Sequence, residues 1–251
     1  MKFYNFGCTA NFKEGQLLEE KIKEVINELK KEQFDEIKIL ENNLVVINSC
    51  AVKGPTENKI LRLIEDNLKK GNVVFVYGCL ALAYPEKIKR LKEKYKNLAA
   101  IGENFLDKEK LKRVLLNKSI EILTNKEFKD KKERLILTGK EQEIIEINRG
   151  CLGNCSYCAT KLAIPSFYSY KSDEILKLIK KAYKKGTKEI FLTSQDTGAF
   201  GIDNKENILV LVKKINKWFN SLEEKEKRKD FFIRIGMMNP NFIKKIIDEL
   251  L

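Results

Sequence analysis

Histidine is absent from all 251 residues, which removes imidazole from any metal site this chain could build. No stretch has the pattern of a signal peptide, and the longest apolar runs are strand-sized, so neither export nor a membrane-spanning helix is expected. Internal repeats and low-complexity tracts are missing as well. What the chain has in excess is positive charge: 49 Lys and Arg against 36 Asp and Glu, a net +13. That balance points to a polyanionic partner. The Lys-rich runs at 86–96 and 126–134 are each laced with Glu. Taken singly they read as a solvated helix face and a linker.

Six cysteines remain to be explained. Without a secretory signal they indicate a reducing compartment, the cytoplasm, and metal ligation rather than disulfides. Three of them form Cys151-Leu-Gly-Asn-Cys155-Ser-Tyr-Cys158, just after the strand-like run Ile144–Asn148. Thiols at this spacing can face one metal centre from a single loop, holding zinc or an iron–sulfur cluster. Structural zinc usually takes four protein ligands, and no fourth Cys or His lies nearby. A cubane held by three cysteines keeps one iron open for a small molecule, which favours the cluster.

The other three lie far apart in sequence. Cys8 follows Lys2–Gly7, Cys50 follows Leu44–Ser49 and Cys79 follows Val73–Gly78. Each preceding run is short, apolar and β-prone, and each is followed by a helical pattern, as in a parallel α/β sheet. Strand carboxyl ends in such a sheet share one edge, where ligands bind. The three thiols are therefore expected to converge on a second cluster. The alternative is that cysteine serves there as a small buried hydrophobe.

The loop Cys-x3-Cys-x-aromatic-Cys resembles the signature of radical S-adenosylmethionine enzymes. Gly7-Cys8-Thr-Ala-Asn11, Asn48-Ser-Cys50 through Lys59, Gly78-Cys79-Leu80, Leu192–Gly201 and Arg234–Pro240 resemble the methylthiotransferase family within it. The form is nearest the archaeal and eukaryotic branch acting on threonylcarbamoyladenosine in tRNA. The resemblance implies two [4Fe-4S] clusters, one on Cys151, Cys155 and Cys158 as the catalytic centre, one on Cys8, Cys50 and Cys79. It implies S-adenosyl-L-methionine as cofactor, with Tyr157, Ser194 and Gln195 as its contacts. Gln195 stands where near relatives often carry Glu, and its amide oxygen can accept a hydrogen bond from the cofactor's ammonium. It further implies a methylthio group delivered to C2 of the modified adenosine, tRNA as partner, and an electron donor. Competing substrates within the family are an isopentenylated adenosine in tRNA and an aspartate of a ribosomal protein. A non-catalytic RNA-binding or scaffold protein that keeps its clusters for folding is the alternative of another class.

The periodicities divide the chain into 1–120, an α/β domain carrying the auxiliary cluster; 121–142, a linker; and 143–251, a second α/β series. In the first, strands are expected at 2–7, 44–48, 73–77 and 98–101, with helices at 14–31, 56–70, 85–96 and 107–117. In the second, strands are expected at 143–148, 189–193 and 231–235, with helices at 172–185, 206–219 and 240–251. The expected fold is a Rossmann-like parallel-sheet domain followed by an incomplete radical S-adenosylmethionine (β/α) barrel of about three units. Family barrels usually have about six, followed by a small RNA-binding β-barrel domain that is missing here. An open sheet edge is something proteins cover, so a second polypeptide or a second copy is expected to complete the barrel.

Overall fold

The computed structural model describes residues 1–31, 35–51, 54–102, 107–122, 135–138, 141–244 and 246–250. In chain order the elements begin β1 (Lys2–Asn5), α1 (Thr9–Lys31), α2 (Asp35–Asn43), β2 (Leu44–Ser49), α3 (Gly54–Lys69), β3 (Val73–Gly78) and α4 (Cys79–Ala83). They continue with α5 (Pro85–Lys94), β4 (Leu98–Gly102), α6 (Lys108–Asn117), β5 (Ile120–Ile122), β6 (Gln142–Glu146), β7 (Asn148–Arg149) and α7 (Thr160–Ala163). The remainder is β8 (Tyr168–Ser169), α8 (Ser172–Lys184), β9 (Glu189–Thr193), α9 (Ile208–Asn220), β10 (Phe232–Ile235), α10 (Pro240–Ile243) and α11 (Ile247–Leu250). Two compact units emerge: Met1–Phe128 with Cys155–Pro165, and Lys129–Asn154 with Ser166–Leu251.

The first unit is a five-stranded sheet in the order β1-β2-β3-β4-β5, every pair parallel. Strands β2 and β3 are buried along their whole length, as uninterrupted Val/Ile/Phe runs require when helices cover both faces of a sheet. On one face, Leu18, Ile22, Val25 and Leu29 of α1 pack with Ile37 and Leu40 of α2 and Leu111 and Val114 of α6. On the other, Ile60 and Ile64 of α3, Leu80 of α4 and Ile88 of α5 close a second core. Spacing of three and four residues along each helix creates these stripes.

Helices α2, α4 and α7 and strand β5 were not expected from periodicity. Helix α2 has only nine residues, and β5 has three, both too short to set up a repeat. Strand β5 takes its place by pairing Ala100 with Ile120, so this sheet has five strands rather than four. The Lys-rich run 126–134 lies outside the described residues, as does most of the expected linker.

The second unit holds a three-stranded parallel sheet in the order β10-β9-β6. It is open, not closed into a barrel, as a partial barrel should be. Among the described residues β10 is paired on one side only. The short strands β7 and β8 pair antiparallel, Asn148 with Ser169 and Arg149 with Tyr168. The long helix expected over 240–251 is instead two single turns, α10 and α11. No helix among the described residues is long and apolar enough to cross a membrane.

Candidate metal centres

Parallel register brings the first three cysteines to one edge. Asn5 pairs with Asn48 across β1 and β2, and Ser49 pairs with Gly78 across β2 and β3. Cys50 and Cys79 each follow one member of that last pair, and Cys8 lies three residues beyond Asn5. All are free thiols: Cys8 exposed, Cys50 buried, Cys79 between the two.

Two glycines make the approach possible. Gly7, at φ 119°, would put a Cβ 3.2 Å from the Cβ of Cys50. Gly78, at φ 90°, would put one 2.5 Å from Asn48 Oδ1 and 2.6 Å from the Ser49 carbonyl. Left-handed φ together with no room for a side chain is a position for glycine alone. Each glycine directly precedes a cysteine.

A buried polar network lies among these loops. Asn11 Nδ2 donates to the carbonyl of Phe6 and, at 3.2 Å, to that of Ser49. Its Oδ1 stands 4.0 Å from Cys79 Sγ. Asn48 Nδ2 donates to Asn5 Oδ1 and to the Asn11 carbonyl, both at 2.7 Å. Ser49 Oγ donates to the Tyr77 carbonyl and accepts from the Leu80 amide at 3.2 Å. One side chain, Asn11, thus touches the segments that carry Cys8, Cys50 and Cys79. Neighbouring loops crowd the Cys8 sulfur although the residue keeps an exposed face, and this partial desolvation raises its thiol pKa, partly offset by the Asn11 backbone amide, with the nearby Cys50 adding to the rise.

Cys151 belongs to the second unit. The antiparallel clasp of β7 on β8, with Tyr170 N–H donating to the Ile147 carbonyl at 3.0 Å, fixes the strand that leads into it. Its Sγ accepts from the Gly153 amide at 3.3 Å and lies 3.9 Å from Asp196 Oδ2. Asp196 is buried. Its Oδ1 accepts from the amides of Gly198 and Asn239, both at 3.0 Å, and its carbonyl accepts from Asn148 Nδ2 at 3.0 Å. One carboxylate therefore joins the loops beyond β6, β9 and β10. Beneath them Arg149 Nη1 meets Glu146 Oε1 at 3.1 Å, with both side chains buried.

Ser194 is buried, and its Oγ accepts from the Asp196 amide at 2.9 Å, leaving a hydroxyl proton to donate. Gln195 Oε1 accepts from the Gly150 amide at 2.8 Å. Its Nε2–H donors are thus the end left to offer, which suits a carboxylate better than an ammonium.

Cys155 and Cys158 belong to the first unit. Cys158 N–H closes a turn onto the Cys155 carbonyl at 3.1 Å, and its Sγ lies 3.0 Å from Thr160 Oγ1. Tyr157 is 82% exposed. Contact with Cys155 raises its phenol pKa above the ordinary value.

Among the described residues, no three His, Cys, Asp or Glu side chains stand close enough to hold a metal ion as placed. The test of fit is therefore the donor set. Six cysteine thiols without imidazole suit iron–sulfur chemistry, and three of them, Cys8, Cys50 and Cys79, follow strands of the first sheet. Asn11, Asn48 and Asp196 were not singled out by sequence reasoning. Their only signal there was proximity: Asn11 three residues after Cys8, Asn48 two before Cys50, Asp196 next to Gln195.

Comparison with known proteins gives the class first. The radical SAM superfamily matches residues 145–251, and uncharacterized protein family UPF0004 matches residues 1–100. Over 98% of this chain, a probable threonylcarbamoyladenosine tRNA methylthiotransferase of Pyrococcus horikoshii is 33% identical, with 55% of that protein covered. One from Archaeoglobus fulgidus is 31% identical over 98% of the chain and 54% of its own length. The threonylcarbamoyladenosine tRNA methylthiotransferase of Homo sapiens is 32% identical over 85% of the chain and 37% of its own length. The chain belongs to the methylthiotransferase family of radical S-adenosylmethionine proteins. It spans about half the length of the archaeal relatives it matches.

Proposed function

We propose that this chain modifies tRNA, adding a methylthio group to C2 of N6-threonylcarbamoyladenosine next to the anticodon. The observation that supports the reading is the parallel register of β1, β2 and β3, which puts Cys8, Cys50 and Cys79 each beyond a strand's carboxyl end, in a chain that also carries the Cys151–Cys158 loop. Residues 1–120 would form the auxiliary-cluster domain, 121–142 the connection and 143–251 the partial barrel. Cys8, Cys50 and Cys79 would hold one [4Fe-4S] cluster, and Cys151, Cys155 and Cys158 the other. When bound, these groups and S-adenosylmethionine supply the electron, the radical and the sulfur.

The chain's own residues position and shield. Asn11 and Asn48 brace the sheet-edge loops, and Asp196 braces the loop before Cys151. Ser194 and Gln195 present hydrogen-bond donors that fit the carboxylate of the cofactor's methionine part, and Tyr157 offers an exposed ring to its adenine. Among the described residues β10 is paired on one side only, an edge that further strands would cover; a second polypeptide or a second copy would do so, and the chemistry would draw on a separate electron donor in the cytoplasm.

Iron and sulfide content after anaerobic reconstitution tests the reading on wild type and Cys151→Ala. About eight irons falling to about four supports two four-iron clusters. About four irons insensitive to Cys151→Ala removes the loop from the cluster set, and zinc in place of iron overturns the enzyme reading. Release of 5′-deoxyadenosine separates catalysis from a scaffold that keeps clusters for folding.

A further inference from the structure

A groove of about 560 Å³ runs between β1, the edge strand of the first sheet, and α3. Its floor includes Tyr4 of β1 and Phe6 just beyond that strand; its wall includes Pro55, Lys59, Arg62 and Asp66. Steps of four, three and four place those wall residues on a single stripe of α3. From Pro55 to Asp66 the stripe is about 16 Å long at 1.5 Å per residue.

The charges on α3 are sorted by flank. Glu57 pairs with Lys87, and Glu65 pairs with Lys69 and Lys94, so these two acids are neutralised away from the groove. Among the described residues, no ion pair engages Lys59 or Arg62. Two exposed cations and two half-buried aromatic rings thus line the same groove. Cations flanking stackable rings are how single-stranded nucleic acid is held: phosphates go to the charges and bases to the ring faces. A duplex could not use the rings, because its bases are already stacked.

Direction is built in as well. Phe6 lies two residues before Cys8 and Pro55 five after Cys50, so one end of the groove opens at the cysteine-bearing edge. Asp66 lines the opposite end of the stripe, where its charge repels a phosphate backbone. We infer that this groove binds a single-stranded RNA segment flanking the modified nucleotide and leads it toward the sheet-edge cysteines. The inference rests on the reading of the chain as a tRNA-modifying protein.

The test is binding of an anticodon stem-loop carrying threonylcarbamoyladenosine, measured across a salt series. The double variant Lys59→Ala/Arg62→Ala changes two exposed helical positions, and circular dichroism verifies its fold. It is expected to bind about tenfold more weakly, and the slope of log K against log salt should flatten by roughly 1.4, two single-strand phosphate contacts. Tyr4→Ala keeps both charges, so it should weaken binding about fivefold or more with the slope unchanged. Lys38→Ala, on α2 against the opposite face of the sheet, should bind as wild type does. Wild-type affinity in the double variant overturns the groove and leaves the RNA reading standing. A wild-type chain that does not bind the stem-loop overturns the RNA reading, and the groove with it.

Discussion

Asn48 Nδ2 donates to the backbone carbonyl of Asn11 at 2.7 Å, while Asn11 Nδ2 reaches the carbonyls of Phe6 and Ser49. The two asparagines thereby lock the start of α1 to the end of β2. Between them they occupy the space from which the sheet-edge cysteines depart. A buried amide can do this because it offers donors and an acceptor at fixed spacing.

Asn11→Ala should leave the carbonyls of Phe6 and Ser49 without that donor. Each buried group left unsatisfied costs about 1–3 kcal/mol, so the urea midpoint of the iron-free protein should fall. On the proposed ligand assignment, the iron of the sheet-edge cluster should be reduced after reconstitution while that of the Cys151 loop is kept. Unchanged iron with a lowered midpoint would reduce Asn11 to a purely structural role.

Gly78→Ala forces a Cβ into Asn48 Oδ1 and the Ser49 carbonyl at a left-handed φ. A destabilisation of about 1–3 kcal/mol or more is expected, read from chemical denaturation. Gly71→Ala, also at positive φ but with open space around it, should cost less and separates steric clash from backbone strain.

Removing the charge of Arg149 leaves the buried carboxylate of Glu146 without its 3.1 Å partner. Arg149→Met is expected to cost about 3–5 kcal/mol in equilibrium unfolding. Replacing both, Arg149→Met with Glu146→Leu, should recover much of that loss, since the two buried charges are then removed together.

Glu65 titrates at about 2, held down first by the hydrogen bond from Lys94 and then by that from Tyr95. Its folded pKa lies below the unfolded value of about 4.3. The stability it contributes is therefore present above that value and lost as pH falls toward 2. Glu65 is partly exposed, so salt should weaken the effect. Carbon-13 titration of its carboxyl in Lys94→Ala should show the pKa move up toward the ordinary range.

Much of this architecture could be read before any coordinates. The strands Leu44–Ser49 and Val73–Gly78 announced themselves as apolar runs because a sheet covered on both faces leaves no polar side. Helices α1, α3, α5, α6, α8 and α9 were legible by their three- and four-residue stripes. Strand β5 and helices α2, α4 and α7 were not, since three, nine, five and four residues are too few for a period to show. The terminal helix was overestimated for a related reason: the pattern over 240–251 is helical in composition, but the chain forms two separate turns there.

The sequence alone determined the chemistry available to this protein. Six thiols with no histidine, three of them within eight residues, fix the donor type whatever the fold. Their identity is covalent and needs no packing to exist. Only tertiary structure decided which polar groups serve those thiols. Asn11 lies 37 residues from Asn48, and Asp196 lies 45 from Cys151. Nothing in local periodicity links residues so far apart. Parallel pairing of β1, β2 and β3 brings the first pair together, and the carboxyl ends of β6, β9 and β10 bring the second. Register converts distant positions into neighbours, and register is settled by burying whole strand faces at once.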